Sequence, residues 1–380
     1  MTTATLDVWR EESLKTLEKT ADPANIVETW RRMPFQHWGL DRFSAENAAG
    51  PKVTLEGGAG AEVLTLEEAV AAKESFVLPT LKTGLVSSDF LKFESVSIAA
   101  WSGGAFVHVP KGKKIEEPIR ISFEHDGSKT FQLPRVVVFL EEGAEATIVE
   151  EHLGDASASL AFTRIELAQN ASLRYFYTQE LPKDAVHFSH QHVALGKDAR
   201  LDHNSIIMGA QHHKSELEVL LNGRGAQSDL RGVLFGSEDQ FFDPHTHQLH
   251  RASNTMSDMH FRVALRDKAR SIYTGLIRIE KDAVDCEAYQ QNKNLLLSDG
   301  ARADSTPVLE ILPDRVACKH GSTAGPVDKN QLFYLAARGI PPAEAAEMLV
   351  MGFFEPILER LPFEDMRERL RAVVAAGAQI

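Results

Sequence analysis

Short apolar runs separated by turn-forming residues dominate the middle of this 380-residue chain. Between about residues 95 and 325, the runs are rich in β-branched and aromatic residues and are bounded by Gly, Asn and Asp. Such a pattern predicts β-strands rather than helices, which need longer stretches of apolar residues at three- and four-residue steps. The clearest predicted strands are Phe106–Val109, Val136–Leu140, Ala146–Val149, Leu173–Tyr177 and Ser271–Ile279.

An alanine recurs along the same region, each time after a turn-type or charged residue and before a predicted strand. The first four alanines lie 27 or 28 residues apart and two more follow at wider intervals: Ala144, Ala171, Ala199, Ala226, Ala269 and Ala301. A period in the twenties is typical of a solenoid, in which each unit buries its apolar face only by stacking on its neighbours. The irregular stretch between Gly232 and Lys268 predicts an insertion or longer loop. An antiparallel sandwich with evenly spaced hairpins stays open as an alternative.

Helical patterns flank this region on both sides. Before residue 90 they cover Thr5–Lys19 and Thr65–Ala72, where Glu68 follows Thr65 as in a capping box. The Gly- and Ala-rich segment Asn47–Ala61 between them predicts a loop. We therefore divide the chain into a mixed, helical N-terminal domain (residues 1–90), a β core (91–325) and a helical C-terminal domain (326–380).

The C-terminal domain has clear helix boundaries. Asp328 can cap a helix over Lys329–Arg338, and Gly339 provides the left-handed residue that ends it. A second helix is predicted from Pro341 onward, and Glu364–Val374 forms a charged final helix.

Composition excludes several function classes. The net charge of −13 argues against binding of nucleic acids or anionic membranes, which requires a basic surface. No apolar run reaches the length of about 18 residues that a membrane helix needs, and the first residues lack a secretion signal. We therefore expect a cytoplasmic protein. Two cysteines cannot form a disulfide framework or a four-thiolate metal site within one chain.

Cys318 and His320 are the first candidates for chemistry. They lie two residues apart in a predicted strand, so their side chains project from the same face. A thiolate and an imidazole are both ligands for iron. Cys318 as a packed small apolar residue, with His320 as a hydrogen-bonded turn residue, is the alternative interpretation.

Histidines and carboxylates are also numerous in the repeat region. His190 with His192, and His245 with His247, have the same-face spacing that would allow a metal pair on a strand, and Asp243 adds a carboxylate beside the second pair. Stacked polar ladders without metal are the alternative. The other histidines of the clusters are His187, His203, His212, His213, His250 and His260.

Acidic pairs on one face of a β-helix are used by polysaccharide-cleaving enzymes. That competing function would use two of five aspartates: Asp202, Asp229, Asp243, Asp285 and Asp304. Nothing in the chain matches a nucleotide-binding loop or a nucleophile elbow.

Three segments near the C-terminus resemble the signature of the SufB/SufD family: Cys318–Gly325, Leu332–Ile340 and Glu347–Phe353. Gly103–Gly112 is similar to the family's entry strand. The resemblance covers residues 100 to 360, approximately. It implies a right-handed parallel β-helix core with helical N- and C-terminal domains.

The resemblance further implies a scaffold subunit, not an enzyme, of the SUF system for iron–sulfur cluster assembly. Its partners would be SufB and the ATPase SufC, and ATP would be bound by SufC rather than by this chain. A transient Fe–S cluster would form at the interface with SufB, where His320 and then Cys318 are the expected residues. In the family, the C-terminal helices bind SufC. The residues of this chain that are expected to contact SufC are Leu332, Phe333, Tyr334, Arg338, Gly339, Met348, Leu349 and Phe353.

In SufB proteins, the segment that resembles this part of the chain carries a cysteine. Here Asn292 stands at that position. This departure, with the basic Lys319 beside His320, favours the SufD branch of the family. A homodimer of the isolated chain is compatible with the same residues. The alternatives to the scaffold function are a carbohydrate-active enzyme with paired carboxylates and a purely structural adaptor.

Overall fold

The computed structural model describes residues 2–21, 29–33, 35–39, 44, 48–82, 90–101, 103–127 and 131–378. Six α-helices lie within these ranges: α1 Thr2–Lys19, α2 Leu66–Lys82, α3 Leu91–Ala100, α4 Lys329–Ala336, α5 Pro342–Leu358 and α6 Glu364–Ala378. A short 3₁₀ helix covers Phe35–Trp38. None of the described helices is long and apolar enough to cross a membrane.

The described ranges also contain twenty strands, numbered here in chain order: β1 Ala48–Ala49, β2 Lys52–Glu56, β3 Glu62–Thr65, β4 Gly104–Val109, β5 Ile119–Asp126, β6 Phe131–Gln132, β7 Arg135–Leu140, β8 Glu145–Asp155, β9 Ala158–Leu167, β10 Ser172–Gln179, β11 Val186–Leu195, β12 Arg200–Ile207, β13 His212–Leu221, β14 Gln227–Gly236, β15 Phe241–His250, β16 Met256–Leu265, β17 Arg270–Ile279, β18 Cys286–Leu296, β19 Arg302–Ile311 and β20 Val316–Pro326.

These strands form a parallel β-solenoid in which each coil contributes one strand to each of two sheets. Sheet A has the order β19-β17-β15-β13-β11-β9-β7-β4-β3, and sheet B has the order β2-β5-β8-β10-β12-β14-β16-β18-β20. The coils pair in parallel with the coils before and after them, whereas the strands of a hairpin would pair in antiparallel fashion. The predicted β-helix core with terminal helices is confirmed, and the sandwich alternative is excluded.

The alanine repeat marks two different corners of the coil. Ala144, Ala171, Ala199 and Ala226 are fully buried and each precedes a strand of sheet B, whereas Ala269 precedes β17 of sheet A. The predicted insertion between Gly232 and Lys268 was wrong, because β14, β15 and β16 fill that stretch with regular strands. The wider interval arises because the alanine changes corner.

The N-terminal end of the solenoid is closed by the chain itself. β2 pairs antiparallel with β5, and β3 pairs antiparallel with β4, so both sheets end in a strand of reversed direction. The loop predicted over Asn47–Ala61 was therefore wrong for β2. Apolar and polar residues alternate in β2, but the strand is short and the Gly- and Ala-rich residues around it hid this pattern. Outside sheet A, Trp30 stacks on Phe93 with ring centroids 5.1 Å apart, and Phe93 stacks on Phe188 in the same aromatic cluster.

The C-terminal helices cover the outer face of sheet B. Val350, Phe354 and Leu370 are fully buried against apolar residues that project from β8, β10 and β14. The guanidinium of Arg369 in α6 donates to the Glu180 carboxylate at 2.9 Å and to Glu151 at 2.9 Å. Apolar packing and ion pairing therefore hold α5 and α6 on the solenoid.

The interior of the solenoid contains a row of histidines whose rings are close neighbours. The ring centroids of His125 and His152 are 5.8 Å apart, those of His152 and His187 are 5.3 Å apart, and those of His187 and His213 are 5.3 Å apart. Burial lowers the pKa of His125 and of His213 to about 3 and holds the pKa of His187 well below its ordinary value. The imidazoles of His125, His187 and His213 are therefore neutral in the folded protein.

We expect the free energy of unfolding to decrease as the pH falls below about 6.5. The unfolded chain then protonates these histidines while the folded chain does not, at a cost of about 1.4 kcal/mol per pH unit for each histidine. Urea unfolding at pH 7.5, 6.5 and 5.5 measures this slope. The variant His213→Gln should have a smaller slope, and an unchanged slope in that variant would contradict the assignment.

Candidate functional site

The C-terminal end of the solenoid is open. β19 pairs only with β17 and β20 only with β18, so each terminal strand of the described chain has one edge without a neighbouring strand. Strand edges with unpaired backbone groups are the places where a sheet can accept another chain. The two ends of the solenoid differ in strand direction. The outermost strands β2 and β3 at the first coil are antiparallel to their neighbours, whereas β19 and β20 at the last coil are parallel to theirs.

Cys318 and His320 lie on β20 at this open end. In the parallel register, Cys318 is opposite Ala288 and His320 is opposite Gln290 on β18. Ala288 and Gln290 are both buried inside the solenoid, so Cys318 and His320 share the inward-facing side of the last coil. The predicted same-face geometry is confirmed. Lys319 lies in the opposite orientation and lines a groove with Tyr289 and Asp258.

The two side chains differ in environment. Cys318 is half-buried and packs at the margin of a small apolar cluster that contains Cys286, Ala288 and Leu309. Burial, together with the neighbouring Cys286, raises the pKa of the Cys318 thiol. The residue therefore rests as a thiol, which would have to lose its proton in order to bind a metal. His320 is exposed.

Cys286 was not singled out by the sequence pattern. It lies at the same corner of the coil as the buried alanines, after Thr255 in that column, and its Sγ is 3.1 Å from the Thr255 hydroxyl. The side chain is buried. The alanine column is the sequence signal that could have placed it. Cys286 is opposite Val316 on β20 and belongs to the apolar cluster against which Cys318 packs.

Asn292 also lies inside the solenoid, two residues beyond Gln290 on β18 and opposite Ser322. It is buried, and its carbonyl oxygen accepts a hydrogen bond of 2.6 Å from the Asn294 amide. An amide therefore occupies this position near the open end. A cysteine at the same position would provide a third ligand beside Cys318 and His320.

The arrangement at the open end is an incomplete ligand set. One thiolate and one imidazole can bind iron, but iron in a cluster needs four ligands, of which sulfide supplies only a part. If iron were bound here, a second chain that meets β19 and β20 would have to provide the remaining protein ligands. The site is therefore suited to an interface and not to a closed metal centre.

The predicted docking residues on the C-terminal helices divide into two groups. Phe333 of α4 is 75% exposed and Tyr334 is 56% exposed, and no residue of α4 is buried. The guanidinium of Arg338 lies over the Tyr334 ring at 4.6 Å, and Gly339 follows with a φ of 83°. On α5, Met348 is exposed. The other three predicted residues pack partly against the helical core: Leu332, Leu349 and Phe353.

Asp229 and Asp243 do not form a pair of the kind that a carbohydrate-cleaving enzyme uses. Asp229 projects from sheet B and Asp243 projects from sheet A, on opposite outer faces of the solenoid. The Asp243 carboxylate is moreover paired with the Lys214 ammonium at 3.0 Å. Asp202 is next to Asp229, but Arg231 binds its carboxylate at 3.2 Å and Arg360 also contacts it. Catalytic carboxyl pairs stand on one face at a separation of roughly 5–10 Å.

Comparison with known proteins agrees with this geometry. A family model described as "SUF system FeS cluster assembly, SufBD core domain" matches residues 123–353, from β5 to α5. The chain belongs to the SufBD family. The matched range includes β20 with both Cys318 and His320, and the first two helices of the C-terminal region almost completely.

Two relatives show how far the SufBD similarity extends. An iron–sulfur cluster assembly SufBD family protein of Mycobacterium bovis is 28% identical over 369 residues, which cover 94% of this chain and 90% of the relative. The iron–sulfur cluster assembly protein SufD of Bacillus subtilis is 29% identical over 294 residues, or 76% of this chain and 67% of that protein. The similarity to a SufD protein agrees with the branch that Asn292 favours.

Proposed function

We propose that this SufBD family protein is a non-catalytic scaffold subunit of the SUF complex in the cytoplasm, in the position of SufD. It would pair with SufB through the open end of the solenoid and bind SufC through its C-terminal helices. The observation that carries the proposal is the open last coil, with Cys318 and His320 on its inward-facing side.

The open end is suited to another solenoid end. β19 and β20 offer two parallel edges, so a partner with the same two-sheet cross-section can continue both ladders of hydrogen bonds. Leu312, in the turn between these strands, is 55% exposed and adds an apolar contact. At the N-terminal end the outermost strands β2 and β3 run antiparallel to their neighbours, so the two ends present different edges, which gives the pairing its direction.

Iron and sulfide are the cargo of the interface. The His320 imidazole is exposed and available to a ligand from outside, while the Cys318 thiol is closer to the apolar cluster. We infer that His320 binds first and that Cys318 joins when a cation at the interface stabilises its thiolate. SufB would supply the remaining ligands.

The docking helix is directly connected to the strand that carries His320. β20 ends at Pro326 and α4 begins at Lys329, so Val327 and Asp328 form the whole connection. The Asp328 carboxylate caps α4 by accepting a hydrogen bond of 2.8 Å from the Asn330 backbone. A movement of α4 when SufC binds ATP can therefore reach β20 through a short and ordered segment.

Substitution of His320 tests the cargo site. In the purified complex with SufB and SufC, His320→Ala should reduce the yield of assembled cluster at least tenfold, because the site loses its exposed ligand. The yield is measured from cluster absorbance after addition of iron and sulfide. Lys319→Ala on the opposite face of β20 is the matched control and should retain the yield.

Complex formation, followed by size-exclusion chromatography, should be the same for both variants. An intact complex with normal cluster yield after His320→Ala would instead support the purely structural adaptor.

The two proposed interfaces can be separated by surface substitutions. The double variant Phe333→Ser, Tyr334→Ser should weaken binding to SufC about 10- to 100-fold, because exposed aromatic residues contribute strongly to interfaces. Leu312→Ser should weaken binding to SufB and leave binding to SufC unchanged. Isothermal titration with each partner measures both effects.

Val8→Ser is the control for loss of an exposed apolar side chain, since Val8 is 50% exposed on α1. SufC binding that is equally strong in the double variant and in Val8→Ser would refute the proposed docking surface.

A further inference from the structure

A second group of potential ligands lies on the outer face of sheet A, away from the open end. We call this group the outer cluster, and it consists of Lys214 and Glu216 on β13 with Asp243, His245 and His247 on β15. In the parallel register, Lys214 is opposite Asp243 and Glu216 is opposite His245. All except His247 are buried, so these polar groups depend on one another for compensation.

The donor atoms of three side chains converge on one point. The Glu216 Oε1 atom lies 3.0 Å from His245 Nδ1, and Glu216 Oε2 lies 3.0 Å from His247 Nε2. The selected ligand atoms of the three residues are all within 4.8 Å of one another. Two ligands that each lie about 2.1 Å from a common ion are separated by roughly 3.0–3.5 Å, and both Glu216–histidine distances fall in this range.

One buried oxygen of the outer cluster is shared by two nitrogen atoms. Glu216 Oε1 lies 3.1 Å from the Lys214 ammonium and 3.0 Å from His245 Nδ1. A buried carboxylate needs compensating positive charge, which Lys214 provides and a metal ion would increase.

His245 is oriented in the way that metal ligands are. Its Nε2 atom is 2.9 Å from Asp243 Oδ1, which leaves Nδ1 directed at Glu216. The other Asp243 oxygen accepts a hydrogen bond of 3.0 Å from Lys214. A carboxylate that holds the far nitrogen of a histidine fixes the ring and increases the basicity of the near nitrogen.

We propose that Glu216, His245 and His247 bind a divalent first-row transition-metal ion, with Asp243 as the residue that positions His245. Two imidazoles and one carboxylate suit Zn²⁺, Fe²⁺ or Co²⁺ and are unsuited to Ca²⁺, which prefers oxygen ligands alone. The ion would link β13 to β15 across adjacent coils. The proposal is independent of the scaffold function.

The Lys214 ammonium is the internal competitor for this ion. It contacts both Glu216 and Asp243, and it lies over the Trp30 ring at 5.4 Å, so it is held in place from both sides. Because Asp243 can retain Lys214 when Glu216 turns to a metal, the two cations can coexist. Their repulsion limits the affinity, and a complete ion-pair network without metal is the competing interpretation.

The outer cluster is accessible and distinct from the open end. The His247 side chain is 23% exposed, which provides a route for the ion. β15 is separated from β19 by β17, and the cluster faces outward, whereas Cys318 and His320 face inward. Binding at the two places can therefore be measured separately.

Titration of the full chain with Co²⁺ tests the proposal. The chain should carry the substitutions Cys318→Ser and His320→Gln, so that the open end does not contribute. We expect one Co²⁺ per chain, with the visible spectrum of nitrogen and oxygen coordination, and displacement by Zn²⁺. Adding His247→Gln should weaken binding at least tenfold, and Asp243→Asn should weaken it 10- to 100-fold.

The matched control is His260→Gln on sheet B. His260 is also near a carboxylate two residues away, with its Nε2 atom 2.9 Å from Asp258, and should not affect Co²⁺ binding. Zn²⁺ should also raise the midpoint of thermal unfolding in the parent and not in the His247→Gln variant, provided that circular dichroism shows both are folded. Absence of binding, or equal binding after His247→Gln, would overturn the proposal and leave an ion-pair network only.

Discussion

The register of one coil on the next is the constraint on which the rest of the structure depends. Each strand from β7 to β18 satisfies its backbone groups on both edges with strands of the neighbouring coils, so no single coil is stable alone. The stack of coils has two ends, and the chain forms them differently. The chain reverses direction to cap the first coil and leaves the last coil open. The candidate site follows from that asymmetry.

Alternation along each strand then distributes the polar residues. Residues two apart on a strand share a face, and adjacent residues lie on opposite faces. One strand can therefore place one polar residue inside the solenoid and the next one outside it. His213 stacks within the interior row, while Lys214 beside it joins the outer cluster. Neutral, desolvated imidazoles and a charged network are therefore only one sheet apart. The strands keep them separate because a change of register by one residue would exchange the two faces.

The short connection between β20 and α4 links the open end to the exposed helix. Phe333 and Tyr334 are presented by a helix that has no buried residue, whereas α5 and α6 are held on sheet B by apolar packing and by Arg369. A partner on α4 thus acts on an element with few contacts to the solenoid. The fold combines a rigid core with one loosely attached surface next to the last strand.

The sequence by itself predicted a β core between helical ends, because strand runs and helix caps such as Asp328 are local signals. The repeat in the twenties favoured a solenoid over a sandwich, and the family resemblance implied the parallel β-helix. It also identified the same-face relation of Cys318 and His320, which depends only on strand period. It did not separate the two corners of the coil, and so predicted an insertion where β15 and β16 lie.

Tertiary structure alone decided which end is open, that Cys286 and Cys318 share an apolar cluster, and that Glu216 on β13 meets His245 and His247 on β15. These contacts form between residues about thirty positions apart in the sequence, which lie on neighbouring coils. No local sequence pattern shows which residues lie opposite each other on two coils.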